Sequence, residues 1–277
     1  MQVRLGCMTR PWGGEVPIER ALEGIAKAGY TFTAFLGRHP GYWFYEYLLQ
    51  PEEEINALKR TVDSFGLKVV TAWGGNPVQY GVEGMRKTAD RAAELGLEYV
   101  ILSSPYVSSN QPQPSDEELL EKFKAAIEPV LPRLEETGVR FDVKPHMGRY
   151  GTGAGLRELV EQIDHPLLGV SYDPGNIRYY EGIDPNEDLK DVAPRVTSLC
   201  IKDHQGPARS LKFPVPGEGD VNWPSIFGTL GEAGFDGYAL IEAFDGEGPE
   251  QVDAAVVGAR RDLARWIEEA GGTVILK

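Results

Sequence analysis

The stretch "RFDVKPHMGRYGTG", residues 140–153, carries Lys144 and His146 where an apolar run gives way to a glycine-rich loop. Side chains alternate across a strand, so residues two apart share a face, and an inward face would place an ammonium and an imidazole inside the molecule. A buried ammonium is costly unless it meets an anion or stands where negative charge develops. Two acids sit in similar surroundings: Asp173 in "SYDPGN" and Glu242 in "YALIEAF". Asp173 alone reads equally as a turn residue, whereas a carboxylate between apolar neighbours, as at Glu242, calls for a partner. A structural ion pair between Lys144 and either acid is the plain alternative to chemistry.

The elements that must position these groups repeat along the chain as an amphipathic helix, a glycine and an apolar strand. The repeat is visible in "KAGYTFTAF", "SFGLKVVTAW", "ELGLEYVILSS", "ETGVRFDVKPH" and "EAGFDGYALIEAF", with Gly29, Gly66, Gly96, Gly138 and Gly234 at helix C-termini. Ile18, Ala21, Leu22 and Ile25 form one helical apolar face, and Ile55, Leu58, Val62 and Phe65 another. Ser115 followed by Glu118 forms a capping box. Eight apolar runs, from "VRLGCM" to "YALIEAF", alternate with eight helices, the last near residues 249–269. Such alternation predicts a parallel sheet, and eight units favour closure into a single (β/α)8 TIM barrel spanning 1–277. An open doubly wound sheet is the alternative, but no G-x-G-x-x-G follows a strand.

The 277 residues include 42 acidic and 28 basic side chains, a formal charge of -14, which argues against nucleic acid and anionic membranes as partners. No apolar run of about 18 residues and no leader is seen, so the expectation is a soluble, cytoplasmic protein. Cys7 and Cys200 both fall in strands and read as buried thiols.

A barrel places its active site at the C-terminal strand ends. The first four ends carry Thr9, Arg10 and Trp12; Arg38 and His39; Trp73 and Asn76; and Ser103, Ser104 and Tyr106. The last four carry Lys144 and His146; Asp173 and Asn176; Lys202, Asp203 and His204; and Glu242. Rings packing on C–H faces and polar groups bonding hydroxyls suit a small-molecule carbohydrate, with Trp12, His39, Trp73, Tyr106, Asn176, Lys202, His204 and Arg209 as binding candidates. Five aromatics in residues 38–50 would either close over a ligand or pack against a second subunit in a homo-oligomer. Arg209 and Lys212, after the seventh strand, could grip a phosphate or carboxylate.

The series "KPHMG…YDPGN…CIKDH…PGEGDVNW…ALIEAF" resembles the xylose-isomerase-like barrel superfamily of sugar isomerases, epimerases and inosose dehydratases, over essentially the whole chain. The resemblance implies a divalent metal (Mn, Mg or Co) held by a carboxylate ending strand five, an Asp ending strand six, a His in strand seven and a Glu in strand eight. Asp173 and Glu242 match two of these, with His146 or His204 as further metal candidates, while Lys144 and Cys200 occupy the other two ligand positions. Metal dependence is therefore open, because an ammonium competes with a dication for the same carboxylates. The resemblance also implies enediolate chemistry on a keto or aldehyde sugar. Lys144 would stabilise the oxygen, Glu242 abstract the proton, Asp173 orient or relay, and His146 act as the acid. An isomerase or epimerase is the leading reading. A lyase on the same scaffold (dehydratase, keto-glycoside eliminase or decarboxylase) is the rival, and a non-catalytic sugar-binding protein the alternative of another class.

Overall fold

A computed structural model describes residues 1–107 and 112–277, the side chains of Tyr47 and Leu49 aside. Among the described residues eight strands pair in parallel around a closed ring: β1 (Gln2–Cys7), β2 (Phe32–Phe35), β3 (Lys68–Gly75), β4 (Tyr99–Ser103), β5 (Arg140–Lys144), β6 (Leu168–Tyr172), β7 (Val196–Ile201) and β8 (Asp236–Ile241). Closure is made by β1 against β8, from Gln2 beside Asp236 to Cys7 beside Ile241. A ninth strand, β9 (Thr273–Ile275), also pairs with the N-terminal end of β1. The fold is the (β/α)8 barrel that the alternation predicts.

The main helices on the outside are α1 (Ile18–Lys27), α2 (Glu52–Ser64), α3 (Pro77–Leu95), α4 (Asp116–Ile127), α5 (Gly153–Ile163), α6 (Pro185–Lys190), α7 (Trp223–Glu232) and α8 (Pro249–Glu269), with a short helix, Leu131–Thr137, following α4 and ending at Gly138. The five expected capping glycines all lie at positive φ, between 66° and 81°, a conformation any Cβ would strain. Ser115 and Glu118 make both bonds of the capping box at α4. Ile18, Ala21, Leu22, Ile25, Ile55, Leu58 and Val62 are buried as the 3.6-residue period requires; Phe65, past the end of α2, is only partly covered. Gly6 serves a different need, since a Cβ there would meet the Phe32 carbonyl oxygen at 2.5 Å and push β2 away from β1.

Two apolar cores follow from strand alternation. Residues such as Phe141, Val143, Leu168 and Val170 face the helices. Met8, Ala34, Val70, Ile101, Cys200 and Leu240 form a second cluster, to which the alternate strand positions contribute. Each fully buried aliphatic or aromatic side chain contributes about 1.5–3 kcal/mol. On β5 the alternate positions Asp142 and Lys144 are buried and charged, and Lys144 stands at the C-terminal end. Among the described residues no helix is long and apolar enough to cross a membrane.

Candidate active site

At the C-terminal end of the barrel the cations and acids of five strand ends converge. Lys144 Nζ lies 2.9 Å from Asp173 Oδ2 and pairs with Glu242 Oε2. Lys202 Nζ, from just beyond β7, lies 2.9 Å from the same Asp173 oxygen, 3.4 Å from Glu242 Oε1 and 2.6 Å from Asn176 Oδ1. Arg10, following β1, donates from Nη1 to Glu242 Oε1 at 2.5 Å. Both carboxylates are fully buried, and both lysines nearly so. Counted as charged groups, three cations face two anions, leaving one positive charge in excess at the floor of a cavity.

Local chain geometry explains why these groups meet. Asp173 ends β6 and caps the next helical turn, its Oδ1 accepting from the Asn176 amide at 2.8 Å, which leaves Oδ2 aimed at the lysines. The two ammonium groups approach Oδ2 as ion pairs without the alignment of a hydrogen bond. Asn176 donates from Nδ2 to the Pro145 carbonyl at 2.7 Å, tying the β5 loop to the β6 loop. Asp203 does not join the cluster. It accepts from the amides of His204, Gly217, Gly219 and Val221 and from the Trp223 indole, folding the "PGEGDVNW" segment around one carboxylate.

Charge and burial set the protonation states. Burial opposes the Lys144 charge, but Asp173 and Glu242 outweigh it and hold the ammonium well above the ordinary lysine range. Burial likewise opposes the Glu242 charge, yet Lys144, Lys202 and Arg10 hold that carboxyl well below the usual carboxylate range. Lys202 is shifted down: burial acts first, Asp173 and Glu242 pull against it, and repulsion from Lys144 and Arg10 adds to the lowering. For His146, burial and then Lys144 lower the pKa to about 3, so the imidazole is neutral near pH 7. Its Nδ1 sits 3.2 Å from the Lys144 carbonyl oxygen, which only accepts, so that nitrogen carries the hydrogen and Nε2 the lone pair.

Above the floor lies a cavity of about 720 Å³ with aromatic walls, including Tyr45, Trp73, Tyr80, Tyr106, Tyr180 and Phe213. His146 stacks on Tyr106 at 5.5 Å and meets Trp73 edge-on at 5.6 Å. Of the binding candidates, Trp73, Tyr106, Asn176 and Lys202 line this cavity. The other four lie elsewhere. Trp12 is buried with its indole donating to Asp253 on α8 at 2.9 Å. His39 is buried with Nδ1 2.7 Å from the Val16 carbonyl. His204 points Nε2 at the Ser210 carbonyl, 2.8 Å away. Arg209 stacks over Tyr179 and Tyr180, 5.6 and 4.9 Å from the ring centres. In the 38–50 loop, Trp43 and Tyr45 line the cavity while Phe44 is buried against Phe35; the side chain of Tyr47 is outside the described residues. Arg10, read at a strand end but not among the site candidates, lines the cavity too, as does the Tyr179–Tyr180 pair, on a short π-helical turn after "DPGN", which strand-end reading did not reach.

The metal candidates separate in the same way. Among the described residues, Asp173, Cys200 and Glu242 bring ligand atoms within 4.8 Å of one another, without His146 or His204. By spacing this buried cluster is capable of coordinating a divalent ion. By charge the set does not fit one, because the Lys144 and Lys202 ammonium groups already face its carboxylate oxygens. Burial also pushes the Cys200 thiol up to about 12, so it is protonated near pH 7.

Comparison with known proteins adds three observations. The family model described as "Xylose isomerase-like TIM barrel" matches residues 22–270. The rhizopine catabolism protein MocC of Rhizobium meliloti is 24% identical over 94% of this chain and 84% of its own, and an inosose dehydratase of Lacticaseibacillus casei is 23% identical over 88% and 90%. The D-psicose 3-epimerase of Clostridium cellulolyticum H10, solved with D-tagatose, shares the fold with a TM-score of 0.74 at 15% identity, over 95% of this chain and 99% of its own.

Proposed function

The chain belongs to the xylose isomerase-like TIM barrel family, and from that premise we propose a sugar isomerase or epimerase that forms an enediolate against the ammonium of Lys144. The observation that carries this reading is the Lys144 ammonium held between Asp173 and Glu242 at the floor of an aromatic cavity, with one positive charge in excess. A carbonyl oxygen directed at Lys144, Lys202 and Arg10 gains stabilisation as it becomes an oxyanion, and burial strengthens that gain. The proton roles follow from the electrostatics and reverse two sequence expectations. Glu242, held by three cations, is a poor base; it and Asp173 keep the ammonium groups in place. His146, neutral at pH 7, cannot begin as the acid; its Nε2 lone pair takes the C–H proton as negative charge building on the substrate oxygen offsets the Lys144 repulsion that holds its basicity down. Once protonated, it returns the proton to the neighbouring carbon, and the hydroxyl proton there passes to the oxygen held at Lys144, which gives the isomer; an epimer arises only when the original carbon takes its proton on the opposite face, from water in the cavity.

The inosose dehydratases among the relatives favour a second reading, in which the same enolate expels a β-hydroxyl. Incubating the protein with ketoses and keto-glycosides in D2O separates the two. An isomerase or epimerase gives a product heavier only by deuterium, a dehydratase gives one lighter by water, and deuterium-free, unchanged sugar throughout the panel rejects both.

A further inference from the structure

The cavity is larger than its reactive floor requires. At about 720 Å³ it lies in the upper half of the roughly 300–1,000 Å³ range that holds drug-sized ligands. Its floor is charged and its mouth apolar. Trp43 and Leu211, 51% and 76% exposed, are the most exposed large hydrophobic side chains among the described residues, and both line this cavity. They come from different loops, after β2 and β7, and each has an aromatic neighbour there: Tyr45, 5.0 Å from Trp43 between ring centres, and Phe213. One exposed apolar side chain needs no explanation, but two bordering a single ligand-sized cavity mark a surface that something covers.

Charge at the mouth narrows what that is. Away from the floor cluster, the charged lining residues are Glu46 and Asp245, both acidic. Arg209 is stacked on Tyr179 and Tyr180 outside the lining, and Lys212 bonds Gln205 Oε1 at 3.0 Å and lines a separate recess. Among the described lining residues, every cation belongs to the floor and already faces a carboxylate. Among the described lining residues, a phosphate carried at the mouth would meet Glu46 and Asp245 and no cation.

We propose that the substrate is an uncharged glycoside bearing a ring ketone, whose aromatic aglycone sits against Trp43 and Leu211, and not a sugar phosphate. This names the substrate class for the site proposed above and rests on that reading for placing the sugar at the floor. Titration calorimetry with paired phenyl and methyl β-glycosides of glucose, galactose and xylose, each carrying a ring ketone, with glucose 6-phosphate alongside, tests it without requiring turnover. For at least one sugar the phenyl partner should bind about tenfold tighter than the methyl one, the gain expected from burying one ring. That ratio should fall toward one in Trp43→Ala and in Leu211→Ser, the latter at an exposed position where folding is not at risk. Ratios near one for every pair, no binding of any phenyl glycoside, an unchanged ratio in Leu211→Ser, or tighter binding of glucose 6-phosphate would each overturn the proposal. A phenyl preference in a protein that exchanges no proton sinks the catalytic reading alone; proton exchange without a phenyl preference sinks this one alone.

Discussion

Strand β5 carries two buried charges two residues apart, and they live in opposite circumstances. Asp142, nearer the N-terminal end, accepts four aligned hydrogen bonds: from Arg140 Nε and Nη2 at 2.6 and 3.0 Å, from Thr197 Oγ1 at 2.8 Å and from Ser198 Oγ at 2.6 Å. One carboxylate meets one guanidinium there, and each oxygen is satisfied twice. Lys144, at the other end, joins a group of three cations and two anions in which Asp173 Oδ2 has ion pairs but no aligned donor, beneath an open cavity. The lower cluster is closed and balanced, so its energy is spent on the fold. The upper one keeps charge in reserve at the place where a ligand enters, which is where strongly perturbed groups indicate function.

Substitutions should separate the two ends. Lys144→Met is expected to lower turnover by about 10³-fold, since it removes the main oxyanion partner, while the protein stays folded because Lys202 and Arg10 remain beside the acids. Steady-state kinetics with circular dichroism checks both halves of that statement. Asp142→Ala should do the reverse, costing about 3 kcal/mol in urea unfolding by stranding the Arg140 charge, with kcat of the folded fraction little changed. His146→Gln should reduce turnover by about 10²-fold.

The same histidine gives a pH signature. Its folded pKa of about 3 lies below the ordinary 6.5, so between those values the unfolded chain binds more protons and stability rises with pH. The contribution is complete above about 6.5 and disappears as pH falls toward 3, and His146→Gln should flatten the loss by about 2 kcal/mol at pH 5, as read by denaturant titrations. The smallest expected effect is that of EDTA, which should change activity by less than about twofold if Lys144 stands where a dication would compete for the same carboxylates. A chelator-sensitive enzyme would erase the distinction drawn between the two ends of β5.

Much of this was legible in the chain. Gly29, Gly66, Gly96, Gly138 and Gly234 mark helix ends because the left-handed turn is a local requirement, and the 3.6-residue period in α1 and α2 is equally local. The meeting of Lys144, Asp173 and Glu242 followed from barrel closure plus strand direction, since each stands at or just past a C-terminal strand end. Residues farther along the loops obeyed other forces. Trp12, His39 and His204 turn to Asp253, the Val16 carbonyl and the Ser210 carbonyl, bonds set by how each loop folds back and not by strand parity. Arg10 was visible as a strand-end residue, but its partner Glu242 lies 232 positions away and is reached only across the β1–β8 seam.

The most direct test is to follow deuterium entering the carbon beside the carbonyl, by NMR in D2O, for the unaltered protein and Lys144→Met on the same keto-sugar panel. An ammonium that stabilises the enediolate predicts exchange with the unaltered protein and at least about a hundredfold slower exchange without that group. Exchange by Lys144→Met at the unaltered rate would contradict the account at its centre.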